Sequence, residues 1–332
     1  MPVKAPPPPP PPPPPSWWSG FIELDGESFL INPQGQALIK TGTATLVTGL
    51  NLTLYKDKTG FINNVTVGGL LATDWSGSGF VAGSYWNNGG LNSSNGALFD
   101  VVFALSQSVT FAQYWTLSNT FFNVISEDVA DTNGACGMTT CSGFPTLVWD
   151  EVKLALNDSF TGWPITFNPY VTFYYELQSI GSPGAGGPGS VSAACFPCET
   201  NNYDFFIGMT PTINLEKYWG VPVTLKAPTY VTVGPSSFWN NYGSTLFGAS
   251  SGSVGLFTTG LTAIMPLSFM PAQYGHWYVK AGFQWYDVIN TALQNANAFS
   301  VDGAASGFKC SNVSAGDCSS ILVGFGGIGV AF

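Results

Sequence analysis

The stretch Asn202-Tyr-Asp-Phe-Phe-Ile-Gly-Met-Thr-Pro-Thr-Ile-Asn-Leu-Glu216 alternates apolar and polar positions. Tyr203, Phe205, Ile207, Met209, Ile213 and Leu215 fall on one parity, and Asp204, Gly208, Thr210, Thr212, Asn214 and Glu216 on the other. Successive side chains of a strand point to opposite faces, so this segment reads as a strand with a greasy face and a wet one. Pro211 lies on the greasy face and cannot donate to a ladder, which predicts a bulge there. Residues 167–178 behave alike, with Val171, Phe173, Tyr175 and Leu177 on one face and Thr172, Tyr174, Glu176 and Gln178 on the other.

The same rhythm extends along the chain in both directions. Strands are predicted at 21–31, 44–56, 61–74, 97–107, 114–125, 146–157, 167–178, 202–216, 222–233, 254–267, 275–289 and 320–332. The first is the least regular, because Glu23, Asp25 and Glu27 make one face acidic. Asp57-Lys58-Thr59-Gly60 joins the second and third as a hairpin turn. Connections at 75–96, 126–145, 179–201, 234–253 and 290–319 are long and rich in Gly, Ser and Asn, and they alternate with short links such as 217–221 and 268–274. Short turns on one rim and long loops on the other, with an even strand number, describe an all-β, antiparallel, up-and-down transmembrane barrel of about 12 strands.

Composition points the same way. Of 332 residues only 8% are charged and 15% are aromatic, whereas ordinary soluble domains carry about 25% charge. A surface facing water needs more charge than this. No apolar run is long enough for a spanning helix, so a membrane protein of this composition has to close its sheet into a barrel. The net charge is −10, the nine cations are all Lys, and no basic cluster suits nucleic acid.

The polar parity gathers Glu23, Asp25, Glu27, Asn51, Asn64, Asp100, Glu151, Lys153, Glu176, Asp204, Asn214, Lys226, Lys280 and Gln284 in the lumen, with Tyr55, Tyr174, Tyr230, Tyr278 and Tyr286. Of these, Asp100, Glu151, Lys153, Glu176, Asp204, Lys226, Lys280 and Gln284 are the candidate pore-lining residues. Acidic groups outnumber Lys, so a pore would favour cations or neutral polar solutes. Charges that pair across a filled lumen and conduct nothing are the alternative. No catalytic constellation is read. The single His276 sits by a short link, and Asp150-Glu151 are neighbours on a strand and so point apart. No cofactor or metal is expected; Glu127, Asp128 and Asp131 cluster without the spacing of a calcium loop.

Cys136 and Cys141, Cys195 and Cys198, and Cys310 and Cys318 fall pairwise inside long loops, which in an exported protein reads as local disulfides. The Cys195–Cys198 pair is geometrically tight, and a redox or zinc motif is its alternative. Pro6 to Pro15 is unbroken proline, a stiff polyproline II rod about 30 Å long at ~3.1 Å per residue. It serves as a spacer, or as a docking segment in which Pro6, Pro10 and Pro15 meet a periplasmic partner. Residues 1–19 form this leader and 20–332 the barrel. Met1-Pro2-Val3-Lys4 has no apolar core, so the numbering is expected to start after export processing.

Val3-Lys4-Ala5 leading into the prolines and then Trp17-Trp18-Ser19-Gly20-Phe21 resembles the start of mature outer-membrane proteins of alphaproteobacteria, porin-like barrels in which a Pro-rich leader is followed by Trp-Thr-Gly-Phe-Tyr. Ser19 stands in place of Thr, and Ile22 in place of Tyr. Gly326-Gly-Ile-Gly-Val-Ala-Phe332 resembles the insertion signal read by the barrel-assembly machinery. The resemblance covers only the two ends of the chain. It implies a barrel in the outer membrane of a Gram-negative cell, with lipid as its surroundings. Strand pairing is expected to put both termini on the short-turn, periplasmic rim and the long loops outside. The resemblance implies no substrate. Taken together these readings describe a channel for passive diffusion of small polar or cationic solutes, alone or as a homo-oligomer. The alternative is a structural or adhesive barrel whose polyproline leader holds a partner.

Overall fold

The computed structural model describes residues 17–28, 30–31, 33, 37–39, 42–76, 97–126, 146–178, 203–243, 252–294 and 319–332. The polyproline run, all six cysteines and the 127–131 acidic cluster lie outside them. The strands are β1 (Trp18–Glu27), β2 (Thr43–Lys56), β3 (Ile62–Ser76), β4 (Ala97–Phe111), β5 (Trp115–Ser126) and β6 (Thr146–Leu156). Then come β7 (Ile165–Thr166 continuing as Tyr170–Gln178), β8 (Tyr203–Met209 continuing as Thr212–Asn214) and β9 (Thr224–Lys226 continuing as Thr229–Val233). The last are β10 (Val254–Pro266), β11 (His276–Val288) and β12 (Ser320–Ala331). Each pairs antiparallel with the next, and β12 returns to β1, with Ile22 opposite Val330, so the sheet is a closed 12-stranded barrel without free edges.

The chain ends meet at this seam. Phe332 N–H donates to the Gly20 carbonyl at 2.9 Å, and Gly20 N–H donates back to the Phe332 carbonyl at 3.3 Å. Both lie on the short-turn rim. That rim is ringed by exposed aromatics: Trp17, Phe61, Trp115, Phe160, Trp163, Trp219, Phe269 and Phe332. Above it the outward parity is apolar and exposed, as with Ile22 and Leu24 on β1, Leu105 on β4, Ile207 and Met209 on β8, and Leu322 and Ile328 on β12. An apolar band bounded by aromatic rings suits the hydrocarbon and headgroup zones of a bilayer.

All twelve predicted strands are present; the differences lie at their ends. The first stops at Glu27, because residues beyond it turn into a separate small hairpin of Leu30–Ile31 with Ala37–Ile39. The fourth runs on to Phe111. The eighth stops at Asn214, whose side chain accepts from Glu216 N–H and caps a short helix, α1 (Leu215–Trp219). Pro211 makes no bulge. Met209 pairs with Thr229 and Thr212 with Lys226, so the register carries through. The proline only omits its donor, and its carbonyl still accepts from Ala227 N–H at 2.8 Å. A real slip occurs in β2 between Thr53 and Tyr55. It pairs Tyr55 with Val65, on the outward parity, so Tyr55 leaves the lumen set.

Candidate functional site in the lumen

The inward parity divides into two halves. Toward the long-loop rim the lumen is packed. Tyr174, Phe206, Leu256, Tyr286, Val288, Ile321 and Val323 point in from the wall and meet Phe238, Trp239 and Leu293, which come from connections rather than strands. Phe238 and Trp239 belong to α2 (Ser236–Gly243), inside the segment that the sequence reading places in an outer loop. Trp239 is fully buried and its Nε1 donates to the Ser253 carbonyl at 3.1 Å. Gly255 faces its ring; a Cβ there would run into Trp239 and lie 2.6 Å from Thr232 Oγ1. Asn290 holds the neighbouring turn: its Oδ1 accepts from Ala292 N–H at 3.0 Å, which sets Leu293 into the same cluster. The small hairpin also folds inward, with Tyr230 Oη donating to the Pro33 carbonyl at 3.0 Å and Ile31 against the aromatic group.

Below this cover the inward face becomes more polar, with Ile264, Tyr278 and Phe325 among its larger members. On β2–β5 they form a hydroxyl-rich wall in which Thr66 and Ser108 are 2.6 Å apart and Thr110 and Thr116 3.1 Å apart. Around the seam a cavity of about 520 Å³ is lined by Glu23, Lys226, Thr262, Ile264, Tyr278, Lys280 and Phe325. Lys280 Nζ lies 2.6 Å from Glu23 Oε1 and 2.7 Å from Asp25 Oδ2, and Tyr278 Oη donates to Glu23 Oε2. These groups reach each other because Gly327 and Gly329 on the intervening β12 carry no side chains: Lys280 and Asp25 both pair with Gly327, and Tyr278 and Glu23 both pair with Gly329. A Cβ on Gly327 would run into the Asp25 carboxylate.

The candidate residues distribute over both halves. Lys226 and Lys280 line the cavity. Gln284 sits above them and donates to Thr258 Oγ1 at 3.2 Å. Glu151 is held by Trp149 Nε1 at 2.9 Å, and Lys153 lies 4.1 Å over the Tyr170 ring. Asp204 and Glu176 share the inward face with Tyr174, and Asp204 is fully buried at the long-loop end of β8. Asp100 takes its place in the ladder opposite Asp74 and Ser126. His276 is exposed where β11 begins. Asp150 turns outward, with Val152 and Leu154. The sequence reading misses Phe238, Trp239 and Leu293. The signal available was a Phe-Trp pair behind Pro235 in an otherwise small and polar connection.

No protein-family model matches this chain, and no curated protein matches it. Among solved structures it is similar to outer membrane phospholipase A from Escherichia coli, with 10% identity and a TM-score of 0.39 over 93% of this chain and 95% of that one. It is similar to OprB from Pseudomonas putida, with 9% identity and a TM-score of 0.37 over 95% of this chain and 93% of that one. It is also similar to a FadL homologue from Pseudomonas aeruginosa, with 9% identity and a TM-score of 0.34 over 95% of this chain and 89% of that one. At these values the likeness passes no activity and no substrate to this chain.

Proposed function

We propose that this protein is an outer-membrane channel for small polar or cationic solutes that rests closed, with its termini periplasmic and its long connections outside the cell. The carrying observation is the vertical division of the lumen. A charged cavity at the seam and a hydroxyl-lined wall on β2–β5 lie in the short-turn half of the lumen, and an aromatic cover formed by α2 and Leu293 stands above them. A lumen of that chemistry suits hydrated solutes, and a cover made from connections rather than strands can move without opening the sheet. Inward acids (Glu23, Asp25, Glu27, Asp74, Glu151, Glu176, Asp204) outnumber inward lysines (Lys153, Lys226, Lys280), which favours cations.

The packed half of the lumen also favours a second reading, a structural barrel in which the cover is permanent. Planar-bilayer recording decides between them. The channel reading expects rare, small conductance steps from the wild type and frequent, cation-selective steps from Trp239→Ala. Folded, heat-modifiable Trp239→Ala protein that stays silent at high loading would leave the structural barrel as the answer.

A further inference from the structure

The cavity at the seam carries its charges on separate walls. Lys226 enters it from β9, Lys280 from β11 and Glu23 from β1. Lys280 is already matched. It lies between Glu23 and Asp25, so that wall holds two carboxylates against one ammonium. Lys226 is exposed, and among the described residues no carboxylate lies within ion-pair distance of it. An ammonium on one side and a net negative group on the other make the space dipolar. Glu23 also has capacity left: it accepts from Lys280 at one oxygen and from Tyr278 at the other, whereas a carboxylate has about four acceptor sites.

The ladder sets how far apart the two ends stand. Lys226 pairs with Thr262, Thr262 pairs with Gly282, and Lys280 is two residues along from Gly282. At ~4.8 Å between strands and ~3.3 Å per residue, the Cα atoms of Lys226 and Lys280 are about 12 Å apart. Lys280 leans on toward β1, away from β9. The floor between them is hollow. Gly282 lies between Thr262 and Phe325 on one rung, and a Cβ there would come within 2.8 Å of the Phe325 ring. Thr262 adds a hydroxyl beside Lys226, and Ile264 and Phe325 add apolar surface along the way. The volume, about 520 Å³, is that of a small-ligand site. A plain anion meets the carboxylates of β1, and a plain cation meets Lys226. A neutral solute uses neither. An α-amino acid carries both charges on one carbon and reaches one wall at a time. A peptide separates its ammonium and carboxylate by up to ~3.3–3.6 Å per residue, so a tripeptide spans a gap of this order.

We infer that the seam cavity is a binding site for short zwitterionic peptides, with Lys226 and Thr262 taking the terminal carboxylate and Glu23, backed by Asp25, the terminal ammonium. This names a solute class within the proposed channel and rests on that reading only for access to the lumen. Titration calorimetry of the full chain in mild detergent tests it. Trialanine is expected to bind; trialanine amide, N-acetyl-trialanine and free alanine should bind about fivefold more weakly, the scale of a water-exposed charge pair. In Lys226→Met, trialanine and its amide should bind alike while the acetylated form stays weaker. In Glu23→Gln, acetylation should stop mattering while the amide stays weaker. Lys226 is exposed and unpaired, so its variant keeps the barrel, and heat-modifiable gel mobility checks this. No binding of trialanine, equal binding of all four probes, or a Lys226→Met variant that still distinguishes the amide would each overturn the inference. Peptide binding to a protein whose Trp239→Ala variant stays silent in bilayers keeps the site and fails the channel. Conductance without peptide binding does the reverse.

Discussion

Lys280 and Asp25 sit on strands that do not touch, yet their charged atoms are 2.7 Å apart, because the residue between them is Gly327. The lysine therefore spans β12 and joins β11 to β1 inside the lumen. This is the place where the last strands of the chain must find the first. The ion pair is partly water-accessible, at 18% and 9% side-chain exposure, so its effect is smaller than for a dry pair.

Lys280→Met leaves Glu23 and Asp25 facing each other without their cation. Breaking a buried pair costs about 3–5 kcal/mol, and the water at this site reduces that to roughly 1–3 kcal/mol. Urea unfolding in detergent should show the loss. Adding Glu23→Gln and Asp25→Asn to Lys280→Met should restore most of it. An unrestored triple variant would place the damage in packing rather than charge.

Gly327→Val attacks the same seam sterically. Overfilling a packed site costs on the order of 1–3 kcal/mol, and here the only way out displaces Asp25 from Lys280. The variant should lose heat-resistant gel mobility at a lower temperature than the wild type. Gly324→Val on the outward parity of the same strand has open space around it and should behave as wild type.

Gly255→Val pushes on the cover from the wall. Its side chain would occupy the place of the Trp239 ring. The far-ultraviolet strand signal should stay, because the ladder is untouched, while limited proteolysis within 236–243 should accelerate. Resistance equal to the wild type would mean that α2 finds another seat.

Asp57 sits part-exposed in the β2–β3 turn. Hydrogen bonds from the Thr59 N–H and hydroxyl hold its carboxyl below the usual carboxylate range. A depressed folded-state value contributes stability above the unfolded value, ~3.9 for Asp, and loses it as pH falls through the lower folded value. The stability difference between wild type and Asp57→Ala should therefore be constant from neutral pH to about 4 and shrink below it. A difference that persists at pH 2 would assign the turn's preference to shape rather than charge.

The face of nearly every residue was legible from parity, since alternation is a local property and each strand must present one side to each environment. Asp204, Lys226 and Lys280 face inward as read, and Asp150 turns away from Glu151 for the same reason. Tyr55 was misread because one slip at Thr53 inverts the parity of the residues after it, and nothing in the neighbouring residues announces it.

The sequence by itself settled the strand number, the antiparallel order and the two faces, because a period of two repeated over short spans encodes all three. Tertiary structure alone decided what occupies the lumen. Trp239 finds Gly255, Tyr230 finds Pro33 and Lys280 finds Asp25 only once the barrel has closed. Such pairings depend on the register between distant strands and on glycines that clear the space between them, neither of which is written in any one segment.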